Sequence, residues 1–237
     1  GHFLNIGLSF RTIYRYSLFV IVPITVYFIV MRYPRDTAPD EAEKKIDFKD
    51  LIQIISQKDV LLMYVVIFAY VAAEIGMATW MVEFFQQERH VSVVASSLYL
   101  SIHFAGMTIG RLLGSFFVDK AGHLKSLLIF SLLAVLCISL GIFGPPSIAI
   151  VLAFTGFCFS IIFPTATAVV SGIPAKSSGT MLGMFFACGG LGGMIGPWLI
   201  GFINDLLGLK IGMSVNILFC IIIVFSLITL LRQKHCS

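Results

Sequence analysis

Glu74 carries the clearest chemistry in this sequence. It stands in FAYVAAEIGMATWMVEFF, fourteen residues after Val60 in an otherwise apolar run, about 21 Å along a helix. Charged groups that deep in an apolar layer are costly and mark solute or ion pathways. A carboxyl there can exchange a proton or accept hydrogen bonds from a bound molecule. The alternative is a protonated acid that bonds a neighbouring helix and does nothing more. His103, near the middle of its own apolar run, reads either as a cavity group or as a neutral packing histidine. Thr79, Thr165, Thr167 and Asn216 are weaker signals, because such groups often bond backbone carbonyls inside membrane helices. Trp80 and Trp198 suit an interfacial belt or a flat stacking surface for a ligand. Glu83 and Glu88 are placed near the outer surface, in water.

A second cluster of charge lies in GRLLGSFFVDKAGHLK, Gly110 to Lys125, between two long apolar runs. Arg111 and Asp119 are eight residues apart, about 12 Å along a helix. That is too far for a pair on one helix, so each needs a partner elsewhere. Lys120 and Lys125 add positive charge beside them.

These residues must be held by membrane helices. The chain has 237 residues, of which 58% are hydrophobic and 12% charged, and its mean hydropathy is +0.99. A soluble domain carries about 25% charged residues, so the composition points to a membrane protein. Seven segments reach the roughly 17–25 apolar residues of a span: Tyr14–Met31, Val60–Phe85, Val91–Val118, Leu124–Phe143, Ser147–Ile173, Ser178–Ile203 and Ile211–Leu231. Lysines and arginines divide 12 against 4 between the two sides of these spans. The rich side includes Arg111 in this count and is read as cytoplasmic. The N-terminus is then outside and the C-terminus inside.

Residues 32–59 form one polar, charge-mixed stretch, whereas the other connections are short. The organisation is therefore one helix (1–31), a cytoplasmic linker (32–59) and a six-helix bundle (60–237). Within the linker, Phe48, Leu51, Ile52 and Ile55 have the spacing of a short amphipathic helix on the membrane surface.

Several function classes are excluded. No basic face remains once the spans are removed, so nucleic acid is not a partner. No Ser/His/Asp, metal-ligand or phosphate-loop arrangement is present, so neither an enzyme nor a metal site is expected. Cys137, Cys158, Cys188 and Cys220 stand singly in apolar runs and Cys236 in the tail; they are read as packing residues. No signal peptide is expected, because no short apolar region is followed by a small-residue cleavage site.

Small residues let helices approach in lipid. Gly106, Gly110 and Gly114 are spaced by four on one run. Gly189 and Gly193 are four apart on another, as are Gly192 and Gly196, with Pro197 and Gly201 beyond. Tight packing explains most of them; a helix that bends or slides is the further reading. Pro164, in FSIIFPTATAVV, is expected to free a carbonyl in mid-helix, with Thr165 or Thr167 able to satisfy it.

At this point the residues resemble a known family. Gly110, Arg111, Gly114, Asp119, Lys120, Gly122 and Lys125 resemble the cytoplasmic loop motif of the major facilitator superfamily, with Ser115 and His123 departing from it. YVAAEIGMATWM and FSIIFPTATAVVSG look like the seventh and tenth helices of the fucose permease group of sugar:cation symporters. CGGLGGMIGPWLIGFIND is similar to that group's eleventh helix. The resemblance implies an all-α polytopic membrane protein of seven transmembrane helices: helix six, the central linker, and the six-helix C-terminal half of a twelve-helix fold. Helices one to five would belong to an N-terminal six-helix half that this chain lacks.

What the resemblance implies for function is a secondary active transporter in the plasma or bacterial inner membrane. It would import a monosaccharide with a proton or sodium ion by alternating access, with no other cofactor. Glu74, Trp80, Thr79, His103, Thr165 and Asn216 are the candidate solute-binding or coupling residues. The Gly110–Lys125 motif becomes a conformational latch against helix five of the missing half. An efflux or other small-solute carrier, or a non-transporting sensor, is the alternative on the same fold. A seven-helix receptor fits the topology but not the long first inside loop, the glycine seam or the motif.

Overall fold

The computed structural model describes residues 10–31, 57–173 and 178–236. The expected amphipathic helix of the linker lies outside them. The chain divides into two units, Gly1–Asp47 and Phe48–Ser237.

The first unit contributes α1 (Phe10–Val30), a helix with Pro23 inside it. Its residues Ile21–Val30 form a continuous apolar stretch, and Thr25 donates its hydroxyl to the Ile21 carbonyl at 2.9 Å.

The second unit contains six helices long and apolar enough to cross a membrane. They are α2 (Lys58–Gln87), α3 (Val93–Ala121), α4 (His123–Phe143), the segment Pro146–Ser171, α7 (Ser178–Leu207) and α8 (Leu209–Cys236). The observed helices run past the predicted apolar spans because polar residues extend them. Lys58 and Asp59 begin α2, and Lys120 closes α3. Single glycines join two pairs. Gly122 alone separates α3 from α4 at φ +82°, and Gly208 alone separates α7 from α8 at φ +90°. Such φ values are open to glycine and costly for other residues.

The fifth span departs from expectation. The run 147–173 reads as one helix in hydropathy, but it forms a 3-10 helix (Pro146–Phe154), α5 (Thr155–Phe159) and α6 (Ile162–Ser171). Pro164 therefore lies in the first turn of α6, where a missing N–H costs little, and not in mid-helix. Thr167 donates to the Phe163 carbonyl at 2.9 Å and not to the Ser160 carbonyl that Pro164 leaves without its donor. The break falls at Ser160 and Ile161, where the Ser160 hydroxyl turns back to the Phe157 carbonyl at 2.6 Å.

α2 is the centre of the bundle. It packs most extensively on α7 and then on α8, and also touches α3, α5 and α6. Gly192 sits on the backbone of Phe68, and Gly196 on that of Ala72. A Cβ at Gly196 would come 2.6 Å from the Ala72 Cα, so only glycine permits this approach. Gly189 and Gly193 meet Ile67 and Val71 on the same helix. Both predicted series of α7 thus serve one contact. The Gly106, Gly110 and Gly114 series of α3 faces Phe157, Ser160 and Ile161, the region of the break. Among the described residues the cysteines are free thiols, and Cys158 and Cys220 are buried in the apolar core.

Candidate functional site

Glu74 lies sixteen residues into α2, about 24 Å from its start, and is shielded on most sides. Its carboxylate Oε1 is 3.8 Å from Nη2 of Arg111 on α3, with side-chain exposures of 17% for Glu74 and 50% for Arg111. Arg111 is ten residues short of the end of α3, about 15 Å inside the helix. Arg111 thus lies within the predicted run Val91–Val118, although it is counted with the positive charges of the cytoplasmic side. A long side chain lets it reach inward from that depth.

Tyr70, one turn before Glu74 on the same face, completes the cluster. Its phenol lies beside both charges. Its O–H donates to the Phe159 carbonyl at 3.1 Å, the last residue of α5 before the break. The Tyr70 ring is buried edge-on against the Phe159 ring. The phenol oxygen keeps lone pairs that can accept from the guanidinium. Arg111 Nη2 also meets the Met107 sulfur at 3.4 Å, a weak acceptor.

Two opposite unit charges 3.8 Å apart attract by about 4 kcal/mol at an effective dielectric constant near 20, less where water screens the half-exposed Arg111. Placing one such charge at the centre of a membrane helix costs roughly 3 kcal/mol. Pairing thus offsets about one of the two insertion costs. The remainder falls to Tyr70 and to whatever occupies the open side of Arg111.

The cluster faces an uncovered strip of the bundle. α3 and α7 both flank α2 but do not pack extensively on each other. Along α2, Ile75, Thr79 and Glu83 are exposed and Val71, Glu74 and Ala78 half-buried. Side chains on this strip lie open between two helices.

The other predicted residues are placed as follows. Thr79 is on the open strip, but its hydroxyl already donates to the Ile75 carbonyl at 2.7 Å. Trp80 is neither a belt residue nor a stacking surface. Its ring abuts Gly201, and its indole N–H donates to the Pro197 carbonyl at 3.0 Å, so it pins α2 to α7 at the proline. His103 is fully buried, its Nδ1 3.1 Å from the Thr155 hydroxyl oxygen. Because that hydroxyl donates to the Leu152 carbonyl at 2.6 Å, Nδ1 carries the proton and Nε2 is left buried without a partner. The ring lies against Phe159, so it packs behind the break and away from the open strip. Thr165 is buried on α6. Asn216 is buried on α8, donates to the Met213 carbonyl at 3.0 Å and points its Oδ1 at Gly76. The structure brings Glu74 and Arg111 together and leaves His103 and Asn216 on other faces.

Of the motif residues, Gly110 and Gly114 are buried and Asp119, Lys120, Gly122 and Lys125 exposed. Asp119 makes no ion pair among the described residues. A cavity of about 630 Å³ adjoins this end, lined in part by Asp59, His123 and Lys125, well away from Glu74.

Two residues escaped the sequence reading. Tyr70 stands four before Glu74, a spacing that could have found it. Arg89 is not singled out there. Its Nη2 donates to the carbonyls of Gly141, Ile142 and Gly144 at 2.8–3.0 Å. It thereby caps the end of α4, where a cation is favoured, and its guanidinium lies over the Phe84 ring.

The sequence model of the Major Facilitator Superfamily matches residues 1–174 and again residues 81–235. A Helicobacter pylori protein described as a "Putative glucose/galactose transporter" is 31% identical over 146 residues, 60% of this chain and 35% of that protein. The cis,cis-muconate transport protein of Acinetobacter baylyi is 26% identical over 131 residues, 54% of this chain and 32% of that protein. The chain thus spans about a third of the length of the curated relatives it matches. Among solved structures, the E. coli fucose:proton symporter superposes with a TM-score of 0.76 at 16% identity, covering 92% of this chain and 54% of the symporter. A second structure of that transporter, in the outward conformation, gives 0.72 at 18% identity, with 92% and 53% covered. At these identities the superpositions establish a shared fold.

Proposed function

The chain belongs to the major facilitator superfamily, and from that premise we propose that it supplies one six-helix half of a secondary carrier. The carrier imports a monosaccharide together with a proton or sodium ion by alternating access. The carrying observation is the charged cluster of Glu74, Arg111 and Tyr70 at mid-depth, on a strip of α2 left uncovered between α3 and α7. Charges are kept at that depth where a solute or ion must pass, and carriers of this kind bind at the midplane between two halves. The names of the Helicobacter and Escherichia proteins support a sugar as the solute. The partner half is a second six-helix bundle covering the open strip. Asp119 and its exposed neighbours act as a latch toward that half, at the end facing the cytoplasm.

The decisive measurement is uptake of radiolabelled D-glucose, D-galactose and L-fucose into cells or proteoliposomes holding the complete carrier. Accumulation against a gradient is expected, driven by a proton or sodium gradient. Glu74→Gln should abolish accumulation while leaving sugar exchange. Accumulation by Glu74→Gln with unchanged ion dependence removes Glu74 from coupling. Accumulation of cis,cis-muconate and of no sugar would assign the carrier to anionic solutes instead.

A further inference from the structure

Cys137 of α4 and Cys158 of α5 bring their Sγ atoms to 3.9 Å, close enough for one thiol to donate to the other. Contacts on both sides hold the two segments together. One turn after Cys137, a Cβ at Gly141 would come 2.8 Å from the Leu152 Cβ, so glycine admits the close approach. Two turns before Cys137, the Phe130 ring packs on that of Phe157 with centroids 5.7 Å apart. The two thiols differ in access. Cys137 is half-buried and lies one turn from Leu133 and from Leu140, both exposed on the surface of the bundle. Cys158 sits behind it, 4% exposed. A reagent dissolved in the bilayer therefore meets Cys137 first and finds a second thiol in contact with it.

We infer that Cys137 and Cys158 form a modification site, a dithiol that a lipid hydroperoxide oxidises to a disulfide between α4 and α5. Thiols in apolar surroundings are sluggish nucleophiles, so the oxidant must be one that gathers among acyl chains. The S–H···S contact helps, because a donor to the attacking sulfur strengthens as negative charge builds there. The Cys137 sulfur attacks the terminal oxygen of the hydroperoxide and the O–O bond breaks. The lipid alkoxide leaves with the thiol proton as an alcohol, and Cys137 becomes a sulfenic acid. The Cys158 sulfur then attacks the Cys137 sulfur, the S–O bond breaks, and the hydroxyl leaves with the Cys158 proton as water. Two thiols lose two electrons, and one hydroperoxide becomes one alcohol and one water. The sulfurs close from 3.9 Å to the roughly 2.05 Å of a disulfide. Cys158 precedes Phe159, whose carbonyl accepts from Tyr70, so the new bond ties α4 to the last turn of α5 beside the break.

The test is peptide mapping without reductant on the purified complete carrier in liposomes, before and after treatment with linoleic acid hydroperoxide. A peptide pair joined through Cys137 and Cys158 should appear on treatment and vanish with dithiothreitol. Cys188→Ala should form the pair as the wild-type protein does, and Cys137→Ala should leave Cys158 a free thiol. The oxidised wild-type protein should also unfold at a higher temperature than the reduced one, because the bond restrains the unfolded chain between the two cysteines. Treatment that leaves Cys137 and Cys158 unlinked in the wild-type protein overturns the inference, whether Cys137 ends as a thiol or as a sulfinic acid. So does a Cys158 that Cys137→Ala leaves just as readily oxidised, since Cys137 is then not the point of entry.

Discussion

Tyr70 does two jobs with one oxygen. Its O–H closes the carbonyl of Phe159, and its lone pairs stay able to accept from a donor of the charged cluster. Tyr70→Phe leaves the ring in place and strands a buried carbonyl, a loss of about 1–3 kcal/mol. The expected result is a lower thermal-unfolding midpoint of the purified protein together with weaker solute uptake. An unchanged midpoint would mean that the break in the fifth span holds itself without Tyr70. At this scale the sequence was half legible. Glu74 stood out because a charge in a long apolar run is costly and rare. Arg111 was counted with the loop charges because charge near a span boundary and charge nearly three turns deeper look alike in a hydropathy profile. Only the ion pair with α2 distinguishes them. Trp80 misled for a related reason, since an aromatic near a span end suits a membrane belt and a helix contact equally.

Helix existence and packing faces were the most legible features, because glycine spacing carries geometry directly. The period of four at Gly189, Gly192, Gly193 and Gly196 predicted a close helix contact, and all four residues face α2. The break at Ser160 was not legible, since 3-10 and α segments share the same apolar composition. Pro164 pointed to the right neighbourhood and the wrong carbonyl. The glycine contacts also permit a paired test within α7. A Cβ at Gly196 meets the Ala72 backbone, which has no flexible end to move aside, whereas one at Gly190 meets nothing within 4 Å. Gly196→Ala should therefore lose about 1–3 kcal/mol of stability by overpacking, and Gly190→Ala should stay within about 0.5 kcal/mol of wild type. Unfolding of the two purified variants, heated side by side, reads the difference. Equal midpoints would show that α2 and α7 separate easily along this seam.

For the molecule as a whole, the expected orientation rests on charge and is open to direct measurement. The six spans of the bundle alternate in direction, so Lys58, Lys120, Lys125 and Arg232 share one end and Arg89 and Lys210 the other. Moving Arg111 from the loops into α3 changes the count from 12 against 4 to 11 against 4, and the bias survives. Arg89 is also weak as a topogenic charge once folded, because three carbonyls of α4 hold it. Such a bias predicts that the richer end faces the cytoplasm. Two exposed histidines mark the two ends: His123 follows the glycine between α3 and α4, and His90 lies in the link between α2 and α3. In a background with the native cysteines replaced, His90→Cys should react with a membrane-impermeant maleimide on intact cells. His123→Cys should react only after the cells are opened. The reverse pattern would invert the bundle, put the Asp119 motif outside, and leave the proposed latch on the wrong face of the membrane.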